Sequence, residues 1–139
     1  MKLFLDTNII IDLVSGRKPF CYDAGILFQL GKNMQYELLV SDLSVFNTVY
    51  ILQRLHYAKD DVYEILNSLL PLLTITTMGS SVIRRCLNNH GKDFEDDAQY
   101  FSALNAGADY IITRNKKDFP VDNNVLEPQE FFKLMNIVQ

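Results

Sequence analysis

The sequence predicts an α/β protein, with a central parallel sheet of four to five strands covered by helices on both faces. Two observations carry this reading. Short apolar, β-rich runs alternate with segments of helical periodicity along the whole chain, and parallel strands need such crossovers. The first run, Leu3–Leu5, ends in Asp6 and passes at once into a helix-like pattern. An acid is thereby placed at the carboxyl end of a buried strand, the edge of an open α/β sheet where ligands bind. At 139 residues the chain is sized for one domain, residues 1–139, with a continuous core.

Taken in order, Lys2–Leu5 is the first strand. Asn8 to about Ser15 is a short helix with Ile10, Ile11 and Val14 on one face, and Gly16–Pro19 is a loop. The spacing of Ala24, Leu27, Phe28 and Gly31 predicts a helix over Phe20–Gly31, with Gly31 as its stop. Glu37–Val40 is the second strand. Ser41 caps a helix running to about Leu55, whose apolar stripe contains Leu43, Phe46, Tyr50 and Ile51. A helix over Lys59–Leu70 stops before Pro71, and β-rich Leu72–Thr76 is the third strand. Ser80 caps a helix to about Asn89, and Asp93 caps another to Asn105, closed by Gly107. Tyr110–Thr113 is the fourth strand and Val125–Leu126 a very short fifth. Glu127–Asn136 is a terminal helix with Pro128 in its first turn.

Composition narrows the function classes. Hydrophobic residues make up 48% and charged residues 22%, a globular mix. No apolar run approaches the ~18–20 residues that span a bilayer, and the N-terminus lacks the shape of a signal peptide, so a cytoplasmic protein without a membrane partner is expected. Cys21 and Cys86 show no metal-binding spacing and read as reduced core thiols. The net charge of −4 exerts no global pull on nucleic acid. It does not argue against an enzyme that holds its substrate through cations. P-loop, GxGxxG and GxSxG patterns are all missing, and His56 and His90 stand apart from any nucleophile pattern.

Polar residues gather where strands end or the following helices begin. Asp6 and Asn8 follow the first strand, and Asn47 lies in the helix after the second. The run Asp93-Phe94-Glu95-Asp96-Asp97 opens a helix, and Thr113-Arg114-Asn115-Lys116-Lys117-Asp118 follows the fourth strand. Asp93, Asp96 and Asp97, at i, i+3 and i+4, are expected on one helix face. Two carboxylates ~5 Å apart at an effective dielectric of ~20 repel by roughly 3 kcal/mol. A helix N-terminus offsets about 0.3–1 kcal/mol per acid, and a divalent cation offsets more. Each residue alone has an ordinary reading: Asp6 and Asp93 as helix caps, the acidic run as a solvated first turn, Asn47 as helix polarity, the lysines as surface charge. The conjunction at strand edges that a parallel sheet brings together points to a shared site.

These motifs together resemble the PIN domain family: Leu5-Asp6-Thr7-Asn8, Ser41 to Asn47, Asp93-Phe94-Glu95-Asp96, and Thr113-Arg114-Asn115-Lys116-Lys117-Asp118-Phe119, in order across essentially the whole chain. The resemblance implies a three-layer α/β/α fold. It implies a Mg²⁺- or Mn²⁺-dependent ribonuclease acting on RNA, very often the toxin of a VapC-like toxin–antitoxin pair, typically a homodimer silenced by its antitoxin. Carried over by residue, Asp6 and Asp96 match metal-binding acids, and Asp118 or Asp93 completes the catalytic set, with Asp118 favoured. Asn8, Asn47, Asp93, Thr113 and Asn115 take supporting places, with Thr113 within reach of Asp6 or a scissile phosphate. Arg114, Lys116 and Lys117 are placed to contact RNA phosphates. Two positions depart from the family pattern. Asn47 stands where a Glu is usual, offering a carbonyl ligand or an amide to hold water but no charge, and Asn115 stands where many members carry an acid. Those departures keep open a second reading, a PIN-like module with weak or no catalysis that binds RNA or a partner protein. A haloacid-dehalogenase-like phosphatase would need an Asp at position 8, where this chain has Asn. Tyr100 is expected to pack rather than stack on a base. The aromatic-rich helices Phe20–Gly31 and Val45–Leu55 could build an antitoxin groove or simply the core.

Overall fold

A computed structural model describes all 139 residues. Five strands form the sheet: β1 (Lys2–Leu5), β2 (Glu37–Ser41), β3 (Thr74–Thr76), β4 (Tyr110–Ile112) and β5 (Val125–Leu126). They pair in the order β3-β2-β1-β4-β5, and every pairing is parallel. Seven helices connect and flank them: α1 (Thr7–Ser15), α2 (Phe20–Lys32), α3 (Asp42–Arg54), α4 (Lys59–Leu69), α5 (Gly79–Asn89), α6 (Phe94–Asn105) and α7 (Pro128–Leu134). None is long and apolar enough to cross a membrane.

The three layers follow from alternation along β1. Leu3 and Leu5 enter the larger core, with Ile9 and Ile10 of α1, Leu27 and Phe28 of α2, and Phe131 and Phe132 of α7. Phe4 faces the other way, onto Ala103 of α6, Phe119 and Val125. A strand buried on both faces must be apolar at every position, which is why β1 reads as a continuous run. A smaller cluster of Ile11, Leu52 and Val62 stacks α3 and α4 on the outside of α1.

Strand order determines where a ligand can enter. After β1 the chain builds β2 and β3 on one side, then returns to β4 and β5 on the other. The reversal falls between β1 and β4, where the diverging connections leave a crevice at the carboxyl edge. The register places Leu5 opposite Ile112, so Asp6 and Thr113 are neighbours just beyond it.

Four expectations need correcting. Gly31 does not stop its helix: α2 runs on through Lys32, and Gly31 lies where a Cβ would come within 2.5 Å of Leu38 Cδ1. Its role is to let helix and strand approach. Ser80 does not cap α5, which begins at Gly79 with no side-chain cap. Leu70–Leu72 winds into a 3₁₀ turn around Pro71, so β3 starts at Thr74, later than the β-rich composition suggests. On α3 the apolar stripe is on the wrong side. Ser44, Thr48 and Leu52 are buried, whereas Phe46 and Tyr50 are 73% and 58% exposed. The inward face carries small hydroxyls because they hydrogen-bond: Thr48 Oγ1 donates to the Ser44 carbonyl, and Ser44 Oγ joins the network described below. Gly107 does close α6 as expected, with a φ of +72° that favours glycine.

Candidate active site

Asp6 ends β1 and starts α1. Its Oδ1 accepts from the Thr7 backbone N–H at 2.8 Å, a helix cap. Its Oδ2 accepts from the hydroxyl of fully buried Thr113 at 2.8 Å, across the β1–β4 reversal. The capping and functional readings are therefore compatible, since one oxygen caps and the carboxylate still opens onto a cleft of about 300 Å³. That cleft is lined by Asp6, Thr7, Asn8, Ile11, Arg17, Asn47, Ile51, Glu95, Asp96 and Gln99.

A buried hydroxyl–amide network holds the three contributing elements in register. Ser41 Oγ donates to Gln99 Oε1 at 2.7 Å, Gln99 Nε2 donates to Ser44 Oγ at 2.8 Å, and Ser44 Oγ lies 2.7 Å from Thr7 Oγ1. Ser41 also caps α3 by accepting from the Ser44 N–H at 3.0 Å. Each partner is satisfied, which makes such a network rigid rather than costly. It fixes α1, α3 and α6 relative to one another and so positions the acids they carry.

Acids outnumber cations in the cleft, where Asp6, Glu95 and Asp96 accompany a single Arg17. Burial pushes the Asp6 carboxyl up, and the negative charges of Asp118 and Glu95 add to this, against the stabilising bonds from Thr113 and Thr7. Asp96 is pushed up to about 6, first by burial and then by Asp93, Asp118, Asp6 and Glu95. No salt bridge reaches Asp6, Asp96 or Glu95. At the cleft Asn8 adds a buried Oδ1 with no hydrogen-bond donor, while its amide makes long contacts of 3.3 Å to Asp6 Oδ2 and 3.4 Å to Thr113 Oγ1. An acceptor left without a donor beside repelling carboxylates is a set of hard oxygens suited to Mg²⁺ or Mn²⁺. No three acids stand close enough to form a ready-made cage. Mg²⁺ commonly takes only one or two carboxylates, with water and substrate phosphate completing the shell, so the residues fit such an ion.

The other expected residues separate into groups. Asp93 caps α6 by accepting from the Asp96 N–H at 2.9 Å. Asn47 lines the cleft, and its amide donates to Glu95 Oε1 at 2.6 Å. Asn115 and Asp118 are exposed outside the cleft lining, and Asp118 acts on Asp6 and Asp96 through its charge. Asp97 does not share the face of Asp96. It is buried toward α5, accepts from Asn89 Nδ2 at 3.1 Å, and lies so close to Gly91 that no Cβ would fit there. Tyr100 packs beneath the sheet, its hydroxyl donating to Asp122 at 2.7 Å.

Two of the expected RNA contacts are engaged elsewhere. Arg114 forms a bidentate pair with buried Asp12, at 2.5 and 3.1 Å, and its guanidinium stacks 4.0 Å from the Phe20 ring centroid. Lys116 pairs with Glu130 at 3.1 Å. Lys117 is exposed. Sequence reasoning missed Glu95, Gln99, Ser44 and Arg17 as residues of the site. Gln99 was traceable, since it lies one helical turn beyond Asp96.

Comparison with known proteins places the fold among relatives. The chain is 27% identical over 143 residues to Ribonuclease VapC1 of Aquifex aeolicus, covering 97% of this chain and 96% of that protein. A toxin–antitoxin complex from Klebsiella pneumoniae shares the fold, with a TM-score of 0.68 at 21% identity, covering 91% of this chain and 97% of the other. VapBC2 from Rickettsia felis, bound to a DNA fragment from its promoter, aligns with a TM-score of 0.65 at 20% identity over the same shares. Residues 2–117 match the PIN domain, and the chain belongs to that family.

Proposed function

We propose that this chain is a divalent-metal-dependent ribonuclease of the VapC type, the toxin of a toxin–antitoxin pair. One observation carries the reading: Asp6 and Asp96 share a cleft at the β1–β4 reversal, and neither forms a salt bridge. The similarity to Ribonuclease VapC1 over nearly the full length of both chains supports it. Asp6 and Asp96 would hold Mg²⁺ or Mn²⁺, with Asn8 Oδ1 available as a neutral donor. Bound there, the ion would supply Lewis-acid activation of water and of the phosphodiester. Thr113 orients Asp6 by holding Oδ2, and the Ser41–Gln99–Ser44 network anchors α6, the helix that carries Asp96. Asp93 supports Asp96 through the α6 cap, and Asp118 adds charge that favours a cation. Arg17 at the cleft and exposed Lys117 are the cations left to meet RNA phosphates. Asn115 stands beside them, its N–H donating to Thr113 Oγ1 at 3.0 Å. The exposed Phe46 and Tyr50 on α3 offer apolar area for an antitoxin or a second copy of the chain.

The test is cleavage of a labelled RNA pool with Mn²⁺, with Mg²⁺ and with chelator. Cleavage should need the metal and fall at least about a hundredfold in Asp6→Asn, by analogy with other electrostatic catalytic groups. A second reading, an RNA- or protein-binding module without catalysis, is favoured by the lack of any three-acid cage and by neutral Asn47 and Asn115. Metal-independent retention of RNA without cleavage would establish it in place of the nuclease.

A further inference from the structure

Resting on the metal-dependent reading, we propose that Glu95 is the third carboxylate of the site and that Asn47 is the residue that positions it. Glu95 lies in the first turn of α6 and lines the cleft together with Asp6 and Asp96. A free glutamate at an exposed helix start, facing two other acids, would swing into solvent, because extended rotamers lower the repulsion and cost no order. Here it does not. Asn47, on a different helix, donates its amide to Glu95 Oε1 at 2.6 Å and holds the carboxylate at the cleft. No other protein donor reaches Glu95, so Oε2 remains unengaged while Oε1 is held.

Two further observations make this more than a surface contact. The helices that carry the pair are locked by the buried Ser41–Gln99–Ser44 network, so their separation is set independently of the pair. Asn8, a residue of the cleft lining, also has a buried Oδ1 that lacks a donor and belongs to no carboxylate. Three acids line one cleft without standing close enough to form a cage by themselves, and the charge of Glu95 acts on both Asp6 and Asp96, so a divalent cation held by one or two of them would be favoured by the third. The negative charge that Asn47 itself lacks is thereby delivered from the neighbouring helix.

The experiment is calorimetric titration of Mn²⁺ into the full chain and into Asp6→Asn, Glu95→Gln, Asn47→Ala and the Asn47→Ala/Glu95→Gln double variant, with thermal unfolding of each as a check on folding. Glu95→Gln should weaken Mn²⁺ binding by about tenfold or more, and Asn47→Ala by about threefold. In the Glu95→Gln background Asn47→Ala should add nothing, because a positioning residue acts only through what it positions. Wild-type affinity in Glu95→Gln, with binding lost in Asp6→Asn, overturns the role of Glu95 and leaves the metal site standing. An equal loss from Asn47→Ala in both backgrounds overturns the positioning role. No Mn²⁺ binding by the wild type, or binding unchanged in Asp6→Asn, removes the metal-dependent reading and this inference with it.

Discussion

Asp6 and Asp12 stand one after the other on the same short segment, and the fold treats them in opposite ways. Asp12 is 1% exposed and carries a bidentate arginine whose guanidinium is itself stacked on Phe20. Asp6 receives hydrogen bonds from Thr113 and Thr7 but forms no salt bridge, and the charges that act on it are those of Asp118 and Glu95. A carboxylate that is neutralised inside the protein joins elements: here it ties α1 to the segment after β4. A carboxylate left among its own kind works against the folded state at neutral pH, and such an arrangement persists where a ligand uses it. The contrast shows why acids in a sequence cannot be ranked by burial alone. What separates a structural acid from a functional one is whether the charge opposite it comes from the chain.

The largest effect should come from breaking the neutralised side. Arg114→Ala leaves Asp12 buried without its partner, and is expected to cost about 3 kcal/mol in urea denaturation. A loss below about 1 kcal/mol would mean that water or Arg17, 4.0 Å from Asp12 Oδ1, replaces the pair.

The repelling side should respond with the opposite sign. With chelator present, Asp96→Asn removes a charge that the fold disfavours and should raise Tm by on the order of 3 °C, after discounting for solvent screening. The pH dependence gives a sharper version. Asp96 is pushed up to about 6, above its unfolded value, so the folded state binds its proton more tightly. Its contribution is therefore favourable at low pH and lost as pH rises through about 6. Metal-free wild type should gain stability from this group as pH falls from neutral, and Asp96→Asn should lack that gain. A Tm lowered by Asp96→Asn at neutral pH would show that the carboxylate is stabilising after all.

The smallest effect belongs to an acid handled in a third way, by a neutral donor. Tyr100 gives its hydroxyl to Asp122, which holds that carboxyl below its ordinary value and pushes the phenol up to about 12. Tyr100→Phe should cost about 1 kcal/mol. It should also remove one phenol ionisation near pH 12 from an ultraviolet titration. An unchanged high-pH limb would place the late-titrating tyrosine elsewhere.

The order and kind of the elements were determined by the sequence alone, because apolar period, caps and breakers are local: Asp6, Ser41 and Asp93 do cap the helices that follow them. So was the edge at which to look, since parallel topology requires strand ends to gather there. Tertiary structure decided which way side chains turn at that edge. Around a helix start, neighbouring residues differ by about 100°, so the run Asp93–Asp97 leaves open that Glu95 and Asp96 face the cleft while Asp97 turns to Asn89. On α3 the rule that apolar residues face inward fails, because buried Ser44 and Thr48 satisfy their hydroxyls inside the protein and Phe46 and Tyr50 are left outside. Asp12 and Arg114 lie 102 residues apart, and no local pattern pairs them. Long-range charge matching is a property of the assembled layers, and it is what separates the acids that are paired within this fold from those left without a salt bridge.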